Sequence, residues 1–248
     1  MTKTLIITGG SRGIGAAVAR LAGGLGCSVV VNYLGNEAAA LDTCSSVVAA
    51  GGQALAVQGD MAQEPDVLRL FDTAEARFGR IDGLVVNAGI VARSLPLADM
   101  SLERIETVMR LNVIGALLTA REGARRMGRG MGEDSASIVL VSSAAARLGS
   151  PNEYVDYAAS KGAIDTLAIG LAKELAPQNI RVNAVRPGLI ETDIHASGGD
   201  PDRANRLGVQ VPAGRAGKAE EVAEGILWLL EGASSYVTGT HLDISGGR

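Results

Sequence analysis

The chain of 248 residues is 47% apolar but only 3% aromatic, so its core has to be assembled from Ala, Val, Leu and Ile. With 23 Lys plus Arg against 27 Asp plus Glu it carries a net charge of −4, which gives no footprint for nucleic acid. Cys27 and Cys44 lie in unrelated segments without CxxC or Cys/His spacing, against a disulfide framework or a metal site. No apolar run approaches the ~20 residues of a membrane span and no signal-peptide pattern opens the chain, so no membrane partner is expected and the cytoplasm is the expected location.

The first apolar run is LIIT at 5–8, and it runs into TGGSRGIG at 8–15 and then the helical pattern AAVARLAGGL. Gly9, Gly13 and Gly15 allow a sharp turn and close approach to a diphosphate, whose charge would sit on the free N–H groups of the helix start, around Ser11, Arg12 and Ile14. A glycine-rich strand-to-helix turn can also exist without a ligand, but its place after a first parallel strand weighs against that. The second strand, SVVV at 28–31, ends in NYLGNE. A cofactor with a free ribose 2′-hydroxyl would want Asp or Glu here, whereas Asn32 and Tyr33 stand in its place. Neither repels a 2′-phosphate, and Arg12 supplies the cation one needs, with Ser11 or Asn36 able to share it. NADP(H) is therefore expected in preference to NAD(H).

ALAVQ at 54–58, LVVN at 84–87, SIVLVS at 137–142, IRVNAV at 180–185 and THLDI at 240–244 bring the strands to seven. Helical stretches lie between them, one carrying the stripe Ile164, Leu167, Ala168, Leu171 and Leu175. Another stripe joins Trp228 to Val222, Ile226 and Leu229, for core or subunit packing. The alternation predicts right-handed βαβ units and a single α/β domain over 1–248, a doubly wound parallel sheet with helices on both faces. One long irregular stretch, about 189–218, reads as a functional loop.

NEYVDYAASKG at 152–162 offers two phenols. Tyr157 and Lys161 are four apart, one helical turn, so the ammonium is expected to lower the phenol's pKa. Tyr154 lies seven before Lys161, too far for close coupling, and fits better at the substrate mouth.

TGGSRGIG, VNAG at 86–89, LN at 111–112, SS at 142–143, YAASK at 157–161 and RPG at 186–188 follow one another along nearly the whole chain. Together they resemble the short-chain dehydrogenase/reductase family. The resemblance implies a seven-stranded Rossmann-type sheet, a nicotinamide dinucleotide, and a catalytic tetrad at Asn112, Ser143, Tyr157 and Lys161. It also implies cofactor contacts at Asp60 and the adjoining Met61, at Asn87, Ala88 and Gly89, and at Pro187, Gly188 and Thr192. Ser143 is preferred to Ser142 because it directly precedes AAA. Ser143 and Tyr157 stand fourteen apart, one more than many members have, which points to an insertion near 151–153. His195 and His241 match nothing in this scheme and read as ordinary polar residues.

The expected reaction moves a hydride between nicotinamide and a small-molecule carbonyl/alcohol pair. Resemblance to 3-oxoacyl-carrier-protein reductases and to glucose 1-dehydrogenases is about equal, and a catalytically silent dinucleotide-binding regulator is the alternative of another class. Arg121, Arg125, Arg126 and Arg129 either offer a basic patch to an acidic carrier protein or form a solvated helix face. A homotetramer is implied by the resemblance, through helices at about 101–130 and 155–176 and the final helix and strand.

Overall fold

The computed structural model describes residues 3–248, apart from the side chains of His195, Ser197 and Asn205; the reading of His195 lies outside what is described. The seven expected strands form one parallel sheet: β1 Thr4–Ile7, β2 Ser28–Tyr33, β3 Gln53–Gln58, β4 Gly83–Val86, β5 Ala136–Val141, β6 Ile180–Pro187 and β9 His241–Ile244. Their spatial order is β3-β2-β1-β4-β5-β6-β9, so the winding reverses between β1 and β4, and a cleft opens there at the carboxyl ends of the strands. β1, β2, β4 and β5 are buried along their whole length, which is why they read as unbroken apolar runs.

Helices cover both faces. On one side lie α1 Gly13–Gly24, α2 Glu37–Ala49 and α10 Ala219–Leu230, packing Val18, Val47 and Ile226 against Val29 and Val85. On the other, α3 Glu64–Phe78, α5 Ala116–Arg126 and α7 Val155–Leu175 pack Phe71, Ala120 and Ile164 against Ile6, Leu84 and Ile138. Each large side chain so buried contributes about 1.5–3 kcal/mol. Val222, Ile226 and Leu229 are fully buried, but Trp228 stays 43% exposed on the flank of α10; it is not a core residue.

The helix expected at 101–130 is built in three pieces: α4 Leu102–Met109, a π-helical turn Arg110–Gly115, and α5. The turn carries Asn112. The stretch 189–218 is less irregular than its composition suggests. It holds strand β7 Ile190–Glu191, helices α8 Ile194–Ser197 and α9 Arg203–Gly208, and strand β8 Gly217–Lys218. β7 and β8 pair in parallel, Ile190 opposite Gly217, over a small core of Leu189, Ala204, Val211 and Ala216. Elements of two to six residues are too short to show a period, so the sequence hides them.

For the arginine cluster the structure favours one of the two readings. Arg121 pairs with Glu64, Arg125 with Glu122, Arg126 with Asp72, Glu75 and Glu122, and Arg129 with Asp82. Each of these arginines is paired within the chain, which favours a salt-bridged, solvated helix face over a basic patch for an acidic carrier protein.

Candidate active site

A cavity of about 540 Å³ runs along the carboxyl ends of the strands. Of the site residues the sequence singled out, all but Gly15 and Asn112 line it. The sequence did not single out Ile90, Val91, Leu148 and Arg248, and it marked Leu189, Ile194 and Arg203 only as part of the 189–218 loop, because nothing local marks a residue that reaches the cavity from a distant loop.

At one end sits the glycine turn. Gly9 and Gly13 take φ of +62° and +54°, the left-handed region that side chains avoid. A Cβ on Gly15 would stand 2.5 Å from the Gly9 carbonyl oxygen and 2.8 Å from Asn87 Nδ2, so the helix can approach the strand only without one. Asn87 Nδ2 donates to the carbonyls of Thr8 and Gly9 at 2.9 and 3.0 Å, tying the turn to β4. No side chain caps the start of α1 and no acid lies in its first turn, so the leading N–H groups remain free for an anion. The residues fit a dinucleotide diphosphate. Thr192 reaches back to this turn, its Cγ2 standing 3.4 Å from where a Gly13 Cβ would be.

Asn32 behaves differently from expectation. It is 2% exposed and its amide is committed: Nδ2 donates to the carbonyls of Gly59 at 3.0 Å and Val57 at 3.4 Å, and Oδ1 accepts from Gly9 N at 3.2 Å. It braces the turn rather than offering itself to a ribose. Asp60 Oδ1 accepts from Ala62 N at 2.9 Å, and Asn36 Oδ1 caps α2 through Ala39 N at 3.0 Å. Arg12 is exposed at the N-cap of α1, on the cavity wall.

At the other end, Ser143, Tyr157 and Lys161 converge. The two serines separate cleanly: Ser142 is buried and donates to the Lys161 carbonyl at 3.1 Å, whereas the Ser143 hydroxyl meets the Tyr157 phenol and accepts from Ala145 N at 3.1 Å. Lys161 is buried, its Nζ donates to the Val141 carbonyl at 2.7 Å, and it lies 5.6 Å from the centre of the Tyr157 ring. Burial pushes its pKa down to about 8, against the pull of Asp165 in the other direction. Burial raises the phenol of Tyr157, and the hydrogen bond to Ser143 only partly offsets this. The lowering expected from Lys161 does not appear, because burial is the largest influence on the Tyr157 phenol.

Asn112 stands behind these three. Its Nδ2 donates to the Ile90 carbonyl at 2.9 Å and to Ser160 Oγ at 3.1 Å, while Oδ1 accepts from Ile90 N at 2.8 Å. A methyl group added at Gly89 would lie 3.2 Å from Asn112 Oδ1 and 3.6 Å from Lys161 Nζ, so both side chains pack close against the Gly89 backbone and a Cβ there would crowd Asn112. His241 bonds the Asp165 carbonyl through Nε2 at 2.9 Å, an ordinary structural contact. Tyr154 also lines the cavity, three residues before Tyr157.

Comparison with known proteins agrees with this geometry. Residues 9–248 match a family model described as enoyl-(acyl carrier protein) reductase. The chain is 48% identical over 243 residues to the uncharacterized oxidoreductase YgfF of Escherichia coli, covering 98% of each. It is 34% identical to glucose 1-dehydrogenase 2 of Bacillus subtilis, covering 99% of this chain and 94% of that one. A crystal structure of 3-ketoacyl-(acyl-carrier-protein) reductase from Brucella melitensis complexed with NADH superposes with a TM-score of 0.92 at 31% identity, covering 99% of this chain and 98% of that one. The family model matched over residues 9–248, a shared fold and relatives matched over almost their full length leave one conclusion: the chain belongs to the short-chain dehydrogenase/reductase family, enzymes that work with a nicotinamide cofactor.

Proposed function

We propose that the protein is an NADP(H)-dependent oxidoreductase of a small carbonyl/alcohol pair, with Ser143, Tyr157 and Lys161 as catalytic residues and Asn112 as their support. The observation that carries this reading is the convergence of those three side chains at the end of a cavity whose other end is an uncapped glycine turn. A bound nicotinamide would supply or accept the hydride. In the reducing direction the Tyr157 phenol, which burial keeps in its protonated form, donates a proton to the carbonyl oxygen. Ser143 donates to the same oxygen and stabilises the charge that builds there. Lys161 would hold the cofactor ribose, and Asn112, bonded to Ser160 one residue before it, would support the replacement of the proton.

The preference for NADP(H) rests on Arg12 and on the lack of a carboxylate from Asn32 to Asn36. A charge-assisted contact from Arg12 to a 2′-phosphate would contribute about 1.5–3 kcal/mol. The test is kcat/KM for NADPH and NADH with a panel of ketones, sugars and alcohols, in the parent and in Arg12→Ala. The parent should favour NADPH, and the preference should fall about tenfold or more in the variant. A parent that favours NADH, or a ratio untouched by the substitution, would overturn it. Because the arginines of α5 are all paired, the substrate we favour is a free ketone rather than a carrier-bound acyl chain. A sugar such as glucose, oxidised at its first carbon, is the second reading, carried by the Bacillus subtilis relative.

A further inference from the structure

The loop that leads into the catalytic helix is built unusually. Gly149, Ser150 and Asn152 have φ of +72°, +45° and +61°, so two residues with side chains are held in the left-handed region within one turn. The turn is closed by bonds from the Glu153 and Tyr154 N–H groups to the Ser150 carbonyl at 3.3 and 3.1 Å, and Leu95 N donates to the Glu153 carbonyl at 3.0 Å. What it presents outward is the Glu153 carboxylate.

Arg203, from α9 at the tip of the 189–218 segment, meets that carboxylate in fork-to-fork geometry: Nη1 to Oε1 at 2.9 Å and Nη2 to Oε2 at 2.6 Å. The guanidinium also lies 5.1 Å from the centre of the Tyr154 ring. Arg203 is 9% exposed and lines the cavity, as Tyr154 does. A two-pronged contact of this kind, partly desolvated and backed by an aromatic face, is stronger than an exposed ion pair. At its roots the segment is already tied down, by the β7–β8 pairing and by Ala213 N donating to the Gly246 carbonyl at 3.0 Å. Its tip is held to the catalytic loop by the Arg203 fork.

We propose that Arg203 and Glu153 form a latch that holds the tip of the 189–218 segment closed over the substrate end of the cavity, making Arg203 a positioning residue that acts through Tyr154 and the loop before Tyr157. Of the charged groups around the pair, Arg206 is engaged by Asp200, and Arg248 adds a further cation near Glu153. Arg203 holds the Glu153 carboxyl below the usual carboxylate range, as expected of a pair that forms in the folded protein.

A double-mutant cycle with Arg203→Ala, Glu153→Ala and the double variant tests the latch, read by hydrogen–deuterium exchange of the free protein. Each single substitution should speed exchange about tenfold in peptides from 194–212 and 150–156 while leaving those of β5 unchanged, and the double variant should exchange no faster than the singles. Single variants that exchange like the parent, or effects that multiply in the double, would overturn it. Steady-state reduction of ethyl acetoacetate by NADPH gives a second readout. KM for the ester should rise several-fold in the variants with kcat and the KM for NADPH nearly unchanged. This kinetic arm rests on the reductase reading, whereas the exchange arm does not: a parent silent toward every carbonyl, with the exchange cycle as expected, would count against the redox function and leave the latch standing.

Discussion

Tyr154 and Tyr157 show how a single residue's environment decides its chemistry. Both phenols are raised by burial, but only Tyr157 meets Ser143 and stands beside Lys161. Tyr157→Phe should therefore abolish turnover, a loss of about 10³-fold or more, with cofactor binding retained; Tyr154→Phe should keep much of the activity. Equal losses in the two variants would show that the proton donor has been misassigned. Lys161 permits a test that needs no substrate. Its pKa is about 8 in the fold and 10.5 as an ordinary lysine, so between those values the unfolded chain holds a proton that the folded chain has released. Raising the pH through this window stabilises the parent, and the cost of burying the cation is fully present below about pH 8. Lys161→Met removes that dependence. The melting temperature of the variant minus that of the parent should fall steadily from pH 8 to pH 10.5, and a difference independent of pH would rule out the depressed lysine.

Among the elements, the junction of β1, β2 and β3 matters most for cofactor choice. Because Asn32 spends its amide on Gly9, Val57 and Gly59, replacing it cannot simply convert the site to NAD(H). Asn32→Asp would turn a buried carboxylate toward two carbonyl oxygens and lose both donors. The melting temperature without cofactor should drop by roughly 5–10 °C, and a parent-like melt would show that the side chain is freer than its bonds indicate. Residue types and their spacing betrayed the glycine turn, the Tyr157–Lys161 pair and every strand of the main sheet. They could not show the commitment of Asn32, because its partners arrive from β3 and from the turn after β1, brought together only when the strands lie side by side.

For the molecule as a whole, the open question is assembly. Leu102, Ile114 and Leu117 leave an apolar stripe exposed along α4, the π-helical turn and α5, and Ile169 stands 43% exposed on α7. These are the helices expected to carry a tetramer. Light scattering should give close to four times the chain mass of 25.3 kDa, and Leu117→Glu should reduce it. A parent that scatters as a monomer would refute the assembly.

By itself the sequence determined the α/β alternation, the number and places of the seven main strands, the phosphate turn and the spacing that puts Tyr157 and Lys161 on one helical face. All of these are local, set by period, residue type and the φ that glycine alone tolerates. Only the tertiary structure decided that the Ser142 hydroxyl is spent on the Lys161 carbonyl while Ser143 meets Tyr157, that Arg121 and Arg126 of α5 pair with α3, and that Arg203 grips Glu153. These depend on charges and hydrogen-bonding groups roughly 20 to 60 positions apart, whose partners the fold supplies and no pattern in the chain announces.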